Sequence, residues 1–183
     1  MEKIHIHDKY FVPFIPQERL EFVIGEVAAK LNADFAGCKD DADVPMLLCV
    51  LNGAIVFTGQ LLKHLDFPLQ LVSMKLSSYV GTQSTGKVKE DLPLTADVKG
   101  RTVIICEDIV DTGNTIVALR KTLLDKGARD VRICTMLLKP EVFRNKAKLD
   151  YVGMEIPNRF IVGYGLDYDE QGRNLKDIYV LDE

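Results

Sequence analysis

The 183-residue chain has no tryptophan, four cysteines and three histidines. Cys38, Cys49, Cys106 and Cys134 contain no C-x-x-C pair, and three of them lie inside apolar, strand-like runs. Neither a zinc knuckle nor a disulfide framework follows from that spacing, so the thiols read as reduced core residues. Long apolar runs are missing too. The longest, Met46 to Leu51, has six residues, against about 20 for a membrane helix. Met1 to Asp8 holds no apolar segment of signal-peptide length, and no targeting motif is visible. The expected address is therefore cytoplasmic, with no membrane partner. Nor is there a surplus of positive charge. Lys and Arg number 23 against 27 Asp and Glu, a net charge of −4. That lacks the footprint of a duplex nucleic-acid binder, yet leaves room for a nucleotide bound by a local site. Internal repeats, low-complexity tracts, the Walker string G-x-x-x-x-G-K-[ST] and the dinucleotide fingerprint G-x-G-x-x-G are all absent.

What remains is an ordinary globular composition, 47% hydrophobic and 27% charged, at the length of one domain. After Pro16, the apolar positions Leu20, Val23, Ile24, Val27 and Leu31 fall on one face of a helix. Met46–Leu51 is apolar at every residue, as in a strand covered on both faces. Asn52-Gly53 breaks it, and 54–65 reads as helical. Residues 69–79 are strand-like. The polar stretch 80–91, rich in Gly, Ser and Thr, reads as a mobile loop. Val103–Cys106 and Val131–Leu138 read as further strands, with a helix between them marked by Ile116, Leu119, Leu123 and Leu124 and ending near Gly127. Short candidates follow at 151–156, 160–162 and 178–181. Strands alternating with helices predict an α/β domain with a mostly parallel core sheet.

The most informative stretch is Val103-Ile-Ile-Cys-Glu107-Asp108-Ile-Val-Asp111-Thr112-Gly113-Asn114-Thr115. A buried strand runs into two carboxylates, then into an Asp/Thr/Gly/Asn/Thr turn, then into a helix. Ligands of open α/β sheets bind beyond the carboxyl ends of strands. A helix N-terminus offers unpaired N–H groups and the positive end of a dipole, both suited to phosphate. The acids would repel that phosphate, so they better suit ribose hydroxyls or a magnesium ion. A sugar phosphate is the ligand implied. The plainer alternative is that Asp111 caps the helix while Glu107 and Asp108 are solvated.

This string resembles the phosphoribosyl-pyrophosphate (PRPP) signature of type I phosphoribosyltransferases. From about Leu47 to Glu183 the chain resembles their hypoxanthine-guanine branch, of purine salvage. The resemblance implies a single domain over 1–183, with a parallel core sheet flanked by helices. A small hood from the N- and C-terminal segments would cover the base pocket, and a mobile lid over about 80–91, beginning after Ser78 and Tyr79, would close on it. It implies transfer of the 5-phosphoribosyl group from PRPP to hypoxanthine or guanine, giving IMP or GMP and pyrophosphate. Glu107 and Asp108 would take the ribose hydroxyls, and Thr112, Gly113, Asn114 and Thr115 the 5-phosphate. Asp111 would be the general base facing N7. Lys139 would donate to the purine 6-oxygen, Phe160 would stack on the base, and the Ile161 backbone would read its edge. Without the resemblance, Phe160-Ile161-Val162 reads as plain core. Asp167 would serve the purine site and bind Mg²⁺ together with Glu107 and Asp108. Gly53 and Arg173 would meet pyrophosphate. A homodimer or homotetramer is expected.

One departure stands in the Gly53 loop. Relatives often carry Lys or Arg where this chain has Asn52, and the family's peptide at the position of Leu51-Asn52 is sometimes cis. Alternatives within reach are a xanthine-preferring enzyme, because Lys139 reads only the shared 6-oxygen, and a non-catalytic nucleotide-sensing regulator on the same fold. Asp167 to Gly172 also begins like a calcium loop, but Ile178 stands where that loop needs a bidentate Glu. His5 and His7 alternate as on one strand face, and no metal-ligand motif with Cys or further His accompanies them. His64 reads as a surface residue.

Overall fold

A computed structural model describes residues 2–38, 43–77, 89–145 and 147–182, the side chains of 77 and 89–91 aside. The strands β1 (Ile4–Ile6) and β2 (Lys9–Ile15) open the chain, followed by helix α1 (Gln17–Phe35). Then come β3 (Met46–Leu51), α2 (Ala54–Leu62), β4 (Gln70–Ser77), β5 (Lys89–Leu92), β6 (Thr102–Val110), α3 (Asn114–Asp125) and β7 (Asp130–Leu138). The chain closes with β8 (Tyr151–Glu155), β9 (Ile161–Val162) and β10 (Ile178–Leu181).

Five strands form a parallel sheet in the order β4-β3-β6-β7-β8, and β5 joins its β4 edge antiparallel. The uninterrupted apolar runs in β3, β6 and β7 follow from this, because helices cover both faces. Leu20, Ile24, Val27 and Leu31 of α1 pack with Phe57 and Leu61 of α2 on one face. Ile116, Leu119 and Leu123 of α3 cover the other, over Met46, Leu48, Val103 and Ile105. The periodicity of α1 is therefore the periodicity of its buried stripe. No side chain of its own N-cap residue, Pro16, bonds to α1. Asp177, far along the chain, accepts from the Gln17 N–H at 2.8 Å and ties the C-terminal segment to the helix start. Gly127 (φ +90°) ends α3, and its N–H donates to Leu124 O at 2.9 Å.

A second, antiparallel sheet, β1-β2-β10-β9, joins the two ends of the chain around Ile6, Phe11, Val162 and Tyr179. Two features here differ from the sequence reading. First, β2 was not expected, since Pro13 interrupts its pattern. The strand tolerates Pro13 because β1 pairs only with Lys9 to Phe11, and β10 shifts register between Ile178 and Tyr179. Second, His5 and His7 do not share a strand face. His5 lies in β1 against the Tyr10 ring, whereas His7 sits in the following turn at φ 53°. The polar stretch after β4 also ends in a strand, β5, whose polar residues suit a sheet edge. Ser78, Tyr79 and most of the expected lid lie outside the described residues.

Candidate active site

The carboxyl ends of three neighbouring parallel strands converge. From β3 the chain passes through a cis Leu51-Asn52 peptide to Gly53. A Cβ on Gly53 would overlap the Asp108 carboxylate, and a Cβ on Gly165 would overlap the Gly53 carbonyl. The ends of β3 and β6 and the 163–173 segment thus meet at one point, and only glycine permits the approach. The Asn52 side chain adds no cation there, as its sequence required.

Glu107 and Asp108 sit where β6 leaves the core. Asp108 is 7% exposed, and its Oδ1 accepts from the Ile109 N–H at 2.8 Å. Burial raises its pKa to about 6, against the opposing pull of backbone N–H donors and the Arg173 charge. Burial, reinforced by the Asp108 charge beside it, holds the Glu107 carboxyl well above the usual carboxylate range. Glu107 Oε2 is buried with no hydrogen-bond partner. Two solvated acids would show neither feature. A buried carboxylate oxygen without a donor is costly, and a ligand hydroxyl or cation would relieve it.

Residues 109–116, with Glu107, line a pocket of about 300 Å³. Gly113 is the N-cap of α3 in the left-handed region (φ +79°) and has no side chain to cap the helix, while the preceding Thr112 Oγ1 accepts from the Asn114 N–H at 3.4 Å. Asp111 therefore does not cap α3. Its carboxylate instead accepts from Lys139 Nζ at 2.9 Å. Register explains the pairing. Val110 of β6 lies opposite Leu138 of β7, and the Lys139 N–H donates to Val110 O at 3.0 Å, so the next side chains face each other. Lys139 is 8% exposed, while Asp111 is about half exposed.

Phe160 is 44% exposed, which overturns the plain core reading of that side chain. Its ring stands edge-on to Tyr168, 5.7 Å between centroids, while Ile161 and Val162 are buried in β9. Asp167 Oδ1 pairs with Arg173 Nη2 at 2.7 Å, and its Oδ2 accepts from the Glu170 N–H at 2.8 Å. Arg173 Nη1 also donates to Gly165 O at 2.8 Å, which anchors this pair to the Gly53 contact. Among the described residues, no three His, Cys, Asp or Glu side chains form a preassembled metal cluster. Glu107, Asp108 and Asp167 are hard oxygen donors, however, and one of them carries an orphaned oxygen. That fits Mg²⁺ held by few carboxylates and completed by substrate oxygens.

Residues 15–169 match the phosphoribosyl transferase domain family. The chain belongs to the phosphoribosyltransferase family. Within this family it is 42% identical over 168 residues to the hypoxanthine-guanine phosphoribosyltransferase of Streptococcus thermophilus (strain CNRZ 1066), covering 91% of each chain. The crystal structure of a Staphylococcus aureus hypoxanthine phosphoribosyltransferase superposes with a TM-score of 0.85 at 33% identity, over 93% of this chain and 91% of that one. A Trypanosoma cruzi hypoxanthine phosphoribosyltransferase gives 0.88 at 31% identity, over 98% and 95%.

The sequence reading missed two residues at the turn before α3. Phe143 and Asn145 stand against it from the loop after β7. Nothing local marks them, because the contacts span about thirty positions along the chain.

Proposed function

We propose that the chain transfers the 5-phosphoribosyl group of PRPP to hypoxanthine or guanine, producing IMP or GMP and pyrophosphate. The observation that carries this reading is the 2.9 Å pair of Lys139 Nζ and Asp111 Oδ1 at the rim of the 107–116 pocket. A 6-oxopurine presents its O6 and N7 side by side on one edge. An ammonium donor next to a carboxylate acceptor matches O6 and a protonated N7. Adenine would turn its 6-amino donors toward the ammonium.

In this reading Glu107 and Asp108 hold the ribose hydroxyls, and Thr112 to Thr115 hold the 5-phosphate with backbone N–H groups. Asp111 accepts the N7 proton as the other ring nitrogen attacks the anomeric carbon. Lys139 fixes the 6-oxygen, Phe160 supplies an exposed ring face for stacking, and the Ile161 backbone reads the base edge. Gly53 keeps its backbone close to the leaving pyrophosphate, and Arg173 pairs with the phosphate oxygens. Glu107, Asp108 and Asp167 would hold Mg²⁺, which when bound neutralises charge on the leaving group. The antiparallel sheet serves as the hood over the base, and the 78–91 segment as the lid that keeps water from the reactive sugar.

We also assign a homo-oligomeric state and a cytoplasmic address. The first is supported by an apolar groove of about 420 Å³ lined by Cys49, Ile55, Leu62 and Leu71. Ile55 is 55% and Leu71 52% exposed there. The second is supported by four free thiols, as a reducing compartment would keep them.

The test is a spectrophotometric assay with PRPP, Mg²⁺ and each purine in turn. Turnover of hypoxanthine and guanine without adenine is expected. No nucleotide from any 6-oxopurine, xanthine included, would refute the assignment.

A further inference from the structure

The segment after β7 begins with Lys139 and turns back on itself. Lys139 O accepts the N–H groups of Val142 and Phe143 at 3.3 and 3.1 Å. The turn delivers two side chains to residues 112–114. A Cβ built on Gly113 would meet Phe143 Cε2 at 2.5 Å and Asn145 Nδ2 at 3.4 Å, so the Phe143 ring already fills the space behind that glycine. Asn145 Nδ2 donates to Thr112 O at 2.6 Å and to Asn114 Oδ1 at 2.9 Å. Thr112 O is an acceptor only, so the group facing it is the amide NH₂. Neither Phe143 nor Asn145 lines the pocket formed by Glu107 and 109–116. Both stand behind the turn.

We propose that Asn145 is a positioning residue for the 5-phosphate, with the Phe143 ring as its backing. The inference rests on reading 112–115 as the phosphate cradle. In a trans peptide the C=O and the following N–H point in opposite directions. Binding Thr112 O on the rear side therefore aims the Gly113 N–H at the pocket side. Without the brace, the left-handed Gly113 leaves this peptide free to rotate, and the phosphate would have to order it on binding. Asn145 does this without touching the substrate. The same turn starts at Lys139, so the base contact and the phosphate cradle share one support.

The test compares Asn145→Ala and Asn145→Asp with Asn145→Gln. Asp keeps the shape but sets a carboxylate against Thr112 O. Gln keeps the donor. The expected result is a PRPP KM raised about tenfold in the Ala and Asp variants, with the hypoxanthine KM and the melting temperature near wild type. Calorimetric binding of ribose 5-phosphate should weaken in parallel, and Gln should recover part of both losses. A PRPP KM within about twofold of wild type in the Asp variant overturns the proposal. So does an equal rise in both KM values together with a lower melting temperature, since that marks general loosening. A wild-type protein that fails to bind ribose 5-phosphate overturns the cradle reading and the brace together, which separates the two failures.

Discussion

At the scale of single residues, Lys139 and Asp111 form one unit with two tasks. Lys139 lies in a nearly buried place, where Asp111 pairs with its Nζ at 2.9 Å. A purine 6-oxygen would compete for that ammonium, and a protonated N7 for the carboxylate. Asp111→Asn should lower kcat by about 10²-fold or more, the scale of a lost acid–base group, and near-normal turnover would remove Asp111 as the base. Lys139→Ala should chiefly raise the hypoxanthine KM, and an unchanged value would remove the 6-oxygen contact. Asp108 carries a pH prediction for the ligand-free protein. Its pKa stands at about 6 in the fold against an ordinary 3.8. The fold thus prefers the protonated acid. That contribution is full below the unfolded pKa and is lost as pH rises through the folded value. Asp108→Asn should therefore stabilise the ligand-free protein at neutral pH by about 1–3 kcal/mol, with the gain vanishing near pH 4. Urea titrations across that range check it, and a gain that does not depend on pH would refute it.

At the scale of elements, the decisive feature is the start of α3. A helix beginning at a left-handed glycine, whose Asn114 N–H meets Thr112 Oγ1 at a long 3.4 Å, gives up the stability of a conventional side-chain N-cap at that glycine. Gly113→Ala would carry two penalties. The positive φ costs an L residue roughly 1–2 kcal/mol, and the new Cβ would press on the Phe143 ring. A melting temperature lower by about 2–4 °C per kcal/mol is expected, with weaker PRPP binding. Phe143→Ala in the same chain should return part of the stability. If Gly113→Ala melts like wild type, the turn is not held as described. The elements that the sequence showed clearly were those with a one-sided or uninterrupted apolar pattern, namely α1, β3, β6 and β7. The ones it concealed were β2, broken in pattern by Pro13, and β5, whose Lys89-Glu90-Asp91 reads as loop. β2 is held by pairing with the neighbouring β1 and the distant β10, and β5 by pairing with β4, and such pairing leaves no mark in the apolar pattern.

At the scale of the whole molecule, the net charge of −4 raises the question of how an acidic chain receives a polyanion. Part of the acid excess lies at Glu107, Asp108 and Asp167, the carboxylates proposed above to hold the ribose and Mg²⁺. The positive field is local, from the α3 N-terminus, Arg173 and Lys139. The exposed apolar groove over Cys49, Ile55 and Leu71 belongs to the same scale, since a single copy leaves it open. Ile55→Asp should convert the oligomer to monomer in light scattering after size exclusion, with the secondary structure by circular dichroism unchanged. A wild-type monomer at micromolar concentration would refute the oligomer, and an unchanged oligomer in the variant would move the interface elsewhere.

The sequence by itself determined the α/β class, the buried strands and the acid-rich turn before α3. Each is written in consecutive residues or in a helical period, so neighbours along the chain suffice to show it. Only the tertiary structure decided that Lys139 faces Asp111, that Asp167 is tied to Arg173, that Gly53 and Gly165 must be bare, and that Phe143 and Asn145 stand behind the phosphate turn. Those facts depend on strand register and on loops meeting across the sheet edge. They arise from packing between segments far apart in the chain, which composition and spacing do not encode.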